Sequence, residues 1–156
     1  MDIKKYLKEN EINFRTYEHP AVYTCEEAEK YSKKIRGFHS KNLFLKNKKS
    51  ITFYLVIVPA KKKTDLKKLS EITEDKLTFA NEKDLKQKLK LSTGAVSPFG
   101  LINDEKGEII LIIAKEVWDS DYVSFHPNIN TETLELSKQN FHKYINSLKN
   151  KLIISR

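Results

Sequence analysis

Residues 51–58 read Ile-Thr-Phe-Tyr-Leu-Val-Ile-Val, a stretch dominated by β-branched, aromatic and aliphatic side chains. A run of this kind is typical of a strand whose two faces are both buried. Residues 41–46 predict a second strand, joined to the first by a lysine-containing turn, and residues 108–114 predict a third, also buried. We therefore expect a sheet with residues 51–58 near its centre.

Helical patterns lie on both sides of these strands in the sequence. Asp2 is a suitable N-cap for a short first helix. The spacing of Thr24 and Glu27 predicts a capping box for a second helix, which we expect to stop at Gly37. Strands and helices intermix without a regular βαβ repeat, so we predict a single α/β (α+β) domain over residues 1–156, with a mixed β-sheet flanked by helices. The remaining predicted elements are strands near 12–17, 121–126 and 131–136, a segment of turn and strand character at 94–102, and helices at 64–71, 81–90 and after Ser137.

Composition excludes several classes of protein. Hydrophobic residues make up 39% of the chain. No apolar run approaches the roughly 20 residues that cross a bilayer, so neither a membrane span nor a signal peptide is expected. Cys25 is the only cysteine, which fits a reducing compartment and hence the cytoplasm. The four histidines are scattered without metal-ligand spacing and no glycine-rich phosphate loop is present, so no metal and no cofactor are predicted.

Positive charge is distributed unevenly along a chain whose formal net charge is +8. Residues 61–90 hold ten lysines against six acidic residues, and residues 141–156 hold four basic residues and no acidic ones. Residues 101–140, in contrast, hold three basic and eight acidic residues. Such asymmetry can place positive potential over one face, as attraction of phosphates requires. An ordinary solvated surface is the other interpretation.

Three segments combine polar, small and rigid residues in a way that could serve chemistry. Taken singly, they are a strand start and two turns, and the information lies in their combination. The segments are Lys41-Asn42-Leu43-Phe44-Leu45, Gly94-Ala95-Val96-Ser97-Pro98-Phe99-Gly100, and Phe125-His126-Pro127-Asn128.

In this order, the three segments resemble the YbaK-type, prolyl-tRNA-synthetase-associated editing domain family, and the similarity extends over nearly the whole chain. Within that family, the sequence looks most like the freestanding deacylases that act on alanyl-tRNA(Pro). The resemblance implies the family's fold and a metal-independent ester hydrolase that removes alanine from mischarged tRNA(Pro). The expected partner is the acceptor 3′ end of the tRNA, and an association with prolyl-tRNA synthetase stays open at this point.

The resemblance also implies roles for individual residues. Lys41, which matches the family's functional lysine, would bind the phosphate of the terminal nucleotide or the oxygens of the ester. Backbone N–H groups of residues 94–98 would form an oxyanion hole, which contributes about 3–4 kcal/mol per donor. His126 would line the amino-acid pocket. The expected catalytic residues are Lys41, Gly94, Ser97 and His126, and the expected substrate-binding residues are Ile35, Asn42, Ala95, Val96, Pro98 and Phe99.

Two alternative functions remain at this level. A cysteinyl-tRNA(Pro) deacylase would differ only in the shape of its amino-acid pocket. A non-catalytic tRNA-binding or regulatory module would keep the fold without the reaction, although binding alone would not require both Lys41 and the glycine–proline loop. A deacylation assay with several misacylated tRNAs separates these functions.

Overall fold

The computed structural model describes residues 2–20, 39–49 and 51–156. Within these residues the strands form two separate sheets. In chain order the strands are β1 (Arg15–Glu18), β2 (Ser40–Asn47), β3 (Phe53–Pro59), β4 (Leu77–Phe79), β5 (Ile110–Ala114), β6 (Tyr122–Phe125), β7 (Glu132–Ser137) and β8 (Leu152–Ser155).

The larger sheet has the strand order β4-β2-β3-β5-β8 and is mixed. β2 runs antiparallel to both β3 and β4, whereas β5 runs parallel to β3 and β8 runs parallel to β5. β3 is therefore paired along both edges, and all its residues but Val58 are buried. This is the position that a continuous apolar run requires, because such a strand has no face that prefers water.

The smaller sheet has the order β1-β7-β6 and is antiparallel throughout. β6 and β7 are consecutive and form a hairpin, whereas β1 comes from the beginning of the chain. Arg15 of β1 lies opposite Glu135 of β7, so this pairing joins two distant parts of the sequence. The loop of the β6–β7 hairpin carries the segment His126-Pro127-Asn128.

The helices begin at recognisable caps. The Asp2 carboxylate accepts hydrogen bonds from the main-chain N–H groups of Lys4 and Lys5, which stabilises the first turn of helix α1. The Ser137 hydroxyl accepts one from Asn140 at the start of the last helix. The helices are α1 (Ile3–Glu9), α2 (Leu66–Thr73), α3 (Glu82–Leu89), α4 (Lys115–Trp118) and α5 (Lys138–Ser147), with 3₁₀ turns at Thr93–Ala95 and Pro98–Asn103.

Two clusters of buried side chains cover the two faces of the larger sheet. The main core joins one face of this sheet to the smaller sheet, to α1, α3 and α5, and to the 3₁₀ turns. The minor core lies on the opposite face, where Leu69 of α2 packs over the strands. Successive residues of β2 belong to different clusters, since Phe44 contributes to the main core and Leu45 to the minor core. The faces of β2 are thereby assigned.

The predicted fold class is confirmed, as are the buried strands, the helix starts at Asp2 and Ser137 and the hairpin before α5. Residues 94–102 differ from the expected strand character, because they belong to two 3₁₀ turns, of which the second is capped by Ser97. Neither β4 nor β8 was predicted, and the helix expected at 24–37 lies outside the described residues. Along the described part of the chain, no helix combines the length and apolar character needed to cross a bilayer.

Gly107 generates a prediction about stability. Its φ of +66° lies in the left-handed region, and a Cβ atom there would come 2.8 Å from the Cβ of Lys149. Gly107→Ala should therefore lower the free energy of unfolding by about 1–2 kcal/mol, measured by urea denaturation. Lys106→Ala, at the neighbouring exposed position, is the control and should change stability by less than about 0.5 kcal/mol. Equal stability of the two variants would contradict the strain.

Candidate functional site

The turn at residues 97–99 is held from within. Ser97 is fully buried, and its hydroxyl accepts a hydrogen bond from the main-chain N–H of Phe99 at 3.0 Å. Pro98 occupies the first position of the 3₁₀ turn, where its fixed φ is favourable and its missing N–H is not needed. The Ser97 carbonyl accepts from Gly100 N–H. The Ser97 hydroxyl is therefore engaged as a cap of this turn.

Phe99 anchors the turn in the main core. Its ring is fully buried and makes edge-on contacts with Phe125 and Tyr144, at centroid distances of 5.9 and 5.3 Å. The Tyr144 hydroxyl donates to the Pro98 carbonyl at 2.7 Å. Burial raises the pKa of Tyr144 well above its ordinary value, so this phenol keeps its proton and remains a donor. The last helix thus fixes the position of the turn.

The β6–β7 loop meets the same turn. Asn128 adopts a φ of +65°, a conformation that asparagine tolerates better than most residues, and its Nδ2 lies 3.5 Å from the Phe99 carbonyl. The Oδ1 atom of Asn128 is buried and has no hydrogen-bond partner among the residues that the structure describes. Leaving a buried acceptor unsatisfied costs about 1–3 kcal/mol. An unpaired oxygen of this kind marks a place where a donor from a ligand would be stabilising.

His126 lies two residues earlier in this loop and is held in one orientation. Its Nδ1 is 2.9 Å from the Glu132 carbonyl, which can only accept, so Nδ1 carries the proton of this hydrogen bond. The pKa of His126 is lowered, chiefly by burial and further by the nearby His19, whereas the Glu132 carbonyl acts in the opposite direction. The His19 and His126 rings are 5.8 Å apart. A neutral His126 then leaves Nε2 as an acceptor.

The beginning of β2 contributes two further buried oxygens. Asn42 Oδ1 and Ser40 Oγ are both buried, and in the described part of the chain neither has a hydrogen-bond partner. Side chains alternate along a strand, so Ser40 and Asn42 lie on the face of β2 that Phe44 shares with the main core. The described chain therefore presents acceptor oxygens on the main-core side from both β2 and the β6–β7 loop.

Lys41 lies on the other face of β2. It shares that face with Leu45 of the minor core, and its Nζ donates to the main-chain carbonyl of Lys62 at 2.5 Å. The turn at 97–99 packs on the main-core side through Phe99. The structure therefore brings Asn42 to the side of the predicted turn and does not bring the Lys41 ammonium there.

The remaining predicted residues fall into three groups. Ala95 is buried and Val96 packs against the main core, next to the turn. Gly94 lies in the first 3₁₀ turn, and Ile35 is outside the described residues.

The N–H of Ala95 already donates to the Ser92 carbonyl, and Pro98 has no N–H group. An oxyanion site in this segment would therefore use the N–H groups of Gly94, Val96 and Ser97.

Asn128, His19 and Tyr144 belong to the site but were not assigned roles from the sequence. Asn128 stands at the end of the Phe-His-Pro-Asn segment, so its motif was a usable signal. Tyr144 matched the apolar face of the last helix, and only the structure shows that its hydroxyl reaches Pro98. In the described residues, no group of three His, Cys, Asp or Glu side chains could hold a metal ion. The oxygens at this site instead suit a ligand that carries N–H donors.

Comparison with known sequences gives a consistent result. Residues 19–144 match the model of the aminoacyl-tRNA editing domain family. Over 140 residues the chain is 41% identical to the prolyl-tRNA editing protein ProX of Acetoanaerobium sticklandii, covering 89% of this chain and 85% of that protein. It is 33% identical over 149 residues to prolyl-tRNA synthetase associated domain-containing protein 1 of Xenopus laevis, covering 92% and 88% of the two chains.

Solved structures share the fold at lower sequence identity. One, described as a hypothetical protein, aligns with a TM-score of 0.79 at 15% identity and covers 99% of this chain and 98% of that one. Another, described as a candidate trans-editing enzyme for prolyl-tRNA synthetase, aligns with a TM-score of 0.75 at 16% identity, covering 98% and 93% of the two chains. At these identities the likeness concerns the arrangement of strands and helices.

The environment of His126 generates a prediction about its titration. Because the folded protein disfavours the imidazolium, the imidazole should titrate below its ordinary pKa of 6.5, as followed by NMR with His126→Gln for assignment. Below pH 6.5 the unfolded chain binds a proton that the folded chain does not, so this histidine lowers stability as pH falls towards its folded pKa. A titration midpoint at or above 6.5 would contradict the burial and the neutral form.

Proposed function

Because the chain belongs to the aminoacyl-tRNA editing domain family, we propose that it hydrolyses the ester that joins alanine to mischarged tRNA(Pro). It acts as a freestanding deacylase, a trans-editing enzyme in translation fidelity. Its substrate is the aminoacylated 3′ end, and the protein works in the cytoplasm, where it can encounter prolyl-tRNA synthetase. The 41% identity to a prolyl-tRNA editing protein supports the editing of mischarged tRNA(Pro) in this proposal.

The observation that carries the proposal is the pair of unsatisfied amide oxygens, Asn42 Oδ1 and Asn128 Oδ1. An aminoacyl ester presents an α-ammonium group with three N–H donors, which is the chemical complement of such acceptors. Binding this group would recover the free energy that each unpaired oxygen costs the free protein, about 1–3 kcal/mol. The ester carbonyl would then lie against the turn at residues 94–98.

Hydrolysis needs a water molecule, an acceptor for its proton and stabilisation of the oxyanion. In the proposed reaction, water adds to the ester carbonyl and the bond from the carbonyl carbon to the ribose 3′ oxygen then breaks. The proton that the water loses is taken up by the leaving 3′ oxygen, which becomes the ribose hydroxyl. The N–H groups of Gly94, Val96 and Ser97 are the donors available to the oxyanion. The Nε2 atom of His126, left as an acceptor by the Nδ1 hydrogen bond to Glu132, is suited to orient the water or the amino group.

In this proposal, alanine is selected by the size of the amino-acid site beside the turn. One or two missing methylenes are worth only about 1–3 kcal/mol, so a synthetase pocket that fits proline cannot exclude alanine by size. A second site must instead be too small for a pyrrolidine ring. Ala95 and Phe99 are buried at the turn, and hydrogen bonds from Tyr144 and to Ser97 hold the turn in place. The turn therefore does not move aside to accommodate a larger amino acid.

Of the two roles expected for Lys41, binding of a phosphate fits its position better than contact with the ester. The ammonium lies on the minor-core side, and its contact is a hydrogen bond to the exposed Lys62 main chain. An exposed hydrogen bond contributes little to stability, so a phosphate group can take its place. Lys41 then holds the nucleotide backbone while Asn42, on the opposite face of the same strand, meets the amino acid.

The first test is deacylation of tRNA(Pro) charged with alanine, cysteine or proline. We expect alanyl-tRNA(Pro) to be cleaved at least 10-fold faster than the other two substrates. Lys41→Ala should lower kcat/KM by 10-fold or more, because it removes a cationic contact to a phosphate. Faster cleavage of cysteinyl-tRNA(Pro) would contradict alanine as the substrate, and absence of cleavage would leave a binding module.

The second test separates function from stability at Asn42. Asn42→Leu removes an unpaired buried oxygen, so it should leave the free energy of unfolding unchanged or raise it, while kcat/KM for alanyl-tRNA(Pro) falls at least 10-fold. Asn47→Leu is the matched control on the same strand. The Asn47 oxygen accepts from the N–H groups of Ile51 and Thr52, so its loss should destabilise the fold by about 1–3 kcal/mol. Equal destabilisation by both variants would remove Asn42 from the site.

A further inference from the structure

A concave surface lies beside the minor core, and neither Asn42 nor His126 lines it. It encloses about 840 Å³, a volume within the range of small-molecule and nucleotide sites. Val58 and Pro59 of β3, Ala114 of β5 and Ser155 of β8 line it, so it lies at the carboxyl ends of three mutually parallel strands. In open α/β sheets, ligands bind beyond the carboxyl ends of the strands.

The wall of this cavity is apolar in its depth and cationic at its margin. Leu69 and Ile72 of α2, together with the strand residues, provide an aliphatic floor. Five cationic side chains and three side-chain carboxylates line the remainder, so the charge of these side chains is positive. The ammonium of Lys68 donates to the main-chain oxygen of Arg156. The cations are Lys62, Lys63, Lys68, Lys115 and Arg156, and the carboxylates are Asp65, Glu116 and Asp119.

The carboxylates of the cavity are already engaged, which leaves its charge available to an anion. Two are ion-paired with lysines of the rim and the third caps helix α2. Across residues 2–20, 39–49 and 51–156, neither Lys63 nor Arg156 forms a side-chain contact with a carboxylate. The engaged groups are Glu116 with Lys62, Asp119 with Lys115, and Asp65 with the main-chain N–H of Lys68.

Lys41 connects this cavity to the catalytic side of the sheet. Its ammonium is bound to the carbonyl of Lys62, a residue of the cavity rim. Asn42, the next residue, presents its side chain to the opposite face. A single step along β2 therefore separates the cavity from the predicted site of the aminoacyl group, and a polymer can reach both by passing the start of this strand.

We propose that the cavity binds a nucleotide of the single-stranded 3′ end of the substrate, upstream of the aminoacylated adenosine. The base packs on the aliphatic floor, and the phosphate binds between Lys63 and Arg156. The inference rests on the proposed function, which supplies a chain of nucleotides attached to the ester. Sites that bind single-stranded nucleic acids usually combine positive charge along the phosphate backbone with a neighbouring surface on which bases pack.

The test uses the full chain and two readouts. The first is the Kd for uncharged tRNA(Pro), and the second is hydrolysis of alanyl-adenosine, a minimal ester without an upstream nucleotide. K63A/R156A should raise the Kd at least 5-fold and reduce the slope of log Kd against log salt by about 0.7, the value for one single-strand phosphate. The variant should lose affinity for tRNA only, and its rate of alanyl-adenosine hydrolysis should equal that of the wild-type protein.

A matched control removes the same charge elsewhere. K106A/K149A alters two exposed lysines near the amino ends of β5 and β8, at the end of these strands opposite to the cavity. This variant should leave the Kd for tRNA within 2-fold of the wild-type value. A Kd raised equally by both double variants would reduce the effect to overall charge and overturn the proposal.

A charge-neutral variant and a free nucleotide complete the design. Thr64→Phe fills the cavity without changing its charge and should also raise the Kd for tRNA at least 5-fold. An unchanged Kd would overturn the proposal.

Cytidine monophosphate should bind weakly and be displaced by tRNA. Binding that tRNA does not displace would assign the cavity to a free small molecule. Failure of the wild-type protein to cleave alanyl-tRNA(Pro) would contradict the proposed function alone, because the Kd for uncharged tRNA(Pro) still tests the cavity.

Discussion

Burial of the Phe99 ring is the constraint on which the arrangement of the site depends. The ring is wedged between Phe125 and Tyr144, so it ties the hairpin of the smaller sheet to the last helix. Its main chain is held at the same time, with the N–H on Ser97 and the carbonyl near Asn128. Since interiors are packed to crystal-like density, a turn fixed at so many points has one position. The main-chain N–H groups of residues 94–97, next to this turn, are therefore fixed in position as well.

The parts of the fold that could be predicted are those whose signal is local. The strand at β3 was evident because its buried residues follow one another, and the helices at Asp2 and Ser137 because their caps precede apolar residues at helical spacing. The 3₁₀ turn after Ser97 gave no such signal, since Pro-Phe-Gly fits a turn or a strand end equally well. β8 is only four residues long, and its pairing with β5 is visible only in three dimensions.

At the candidate site, the sequence indicated which segments come together more than how their side chains are arranged. The glycine–proline and histidine–proline segments do meet, through Phe99 and Asn128. The Lys-Asn pair of β2 behaves differently, because consecutive residues of a strand point to opposite faces. The pattern of Phe44 and Leu45 contained this information, yet the motif treats Lys41 and Asn42 as one unit. A short motif records which residues occur together, whereas the period of the strand decides which of them share a cavity.

The pairing of Arg15 with Glu135 has a consequence for how the chain folds. β7 is the central strand of its sheet only when β1 has returned across more than a hundred residues; until then, one of its edges has unpaired amides and carbonyls. Contacts between residues so far apart in the sequence slow folding, because the entropy of closing the intervening loop is lost before the contacts form. An exposed strand edge also invites pairing with other chains. The nascent protein is therefore most prone to aggregate after β7 is made and before β1 docks.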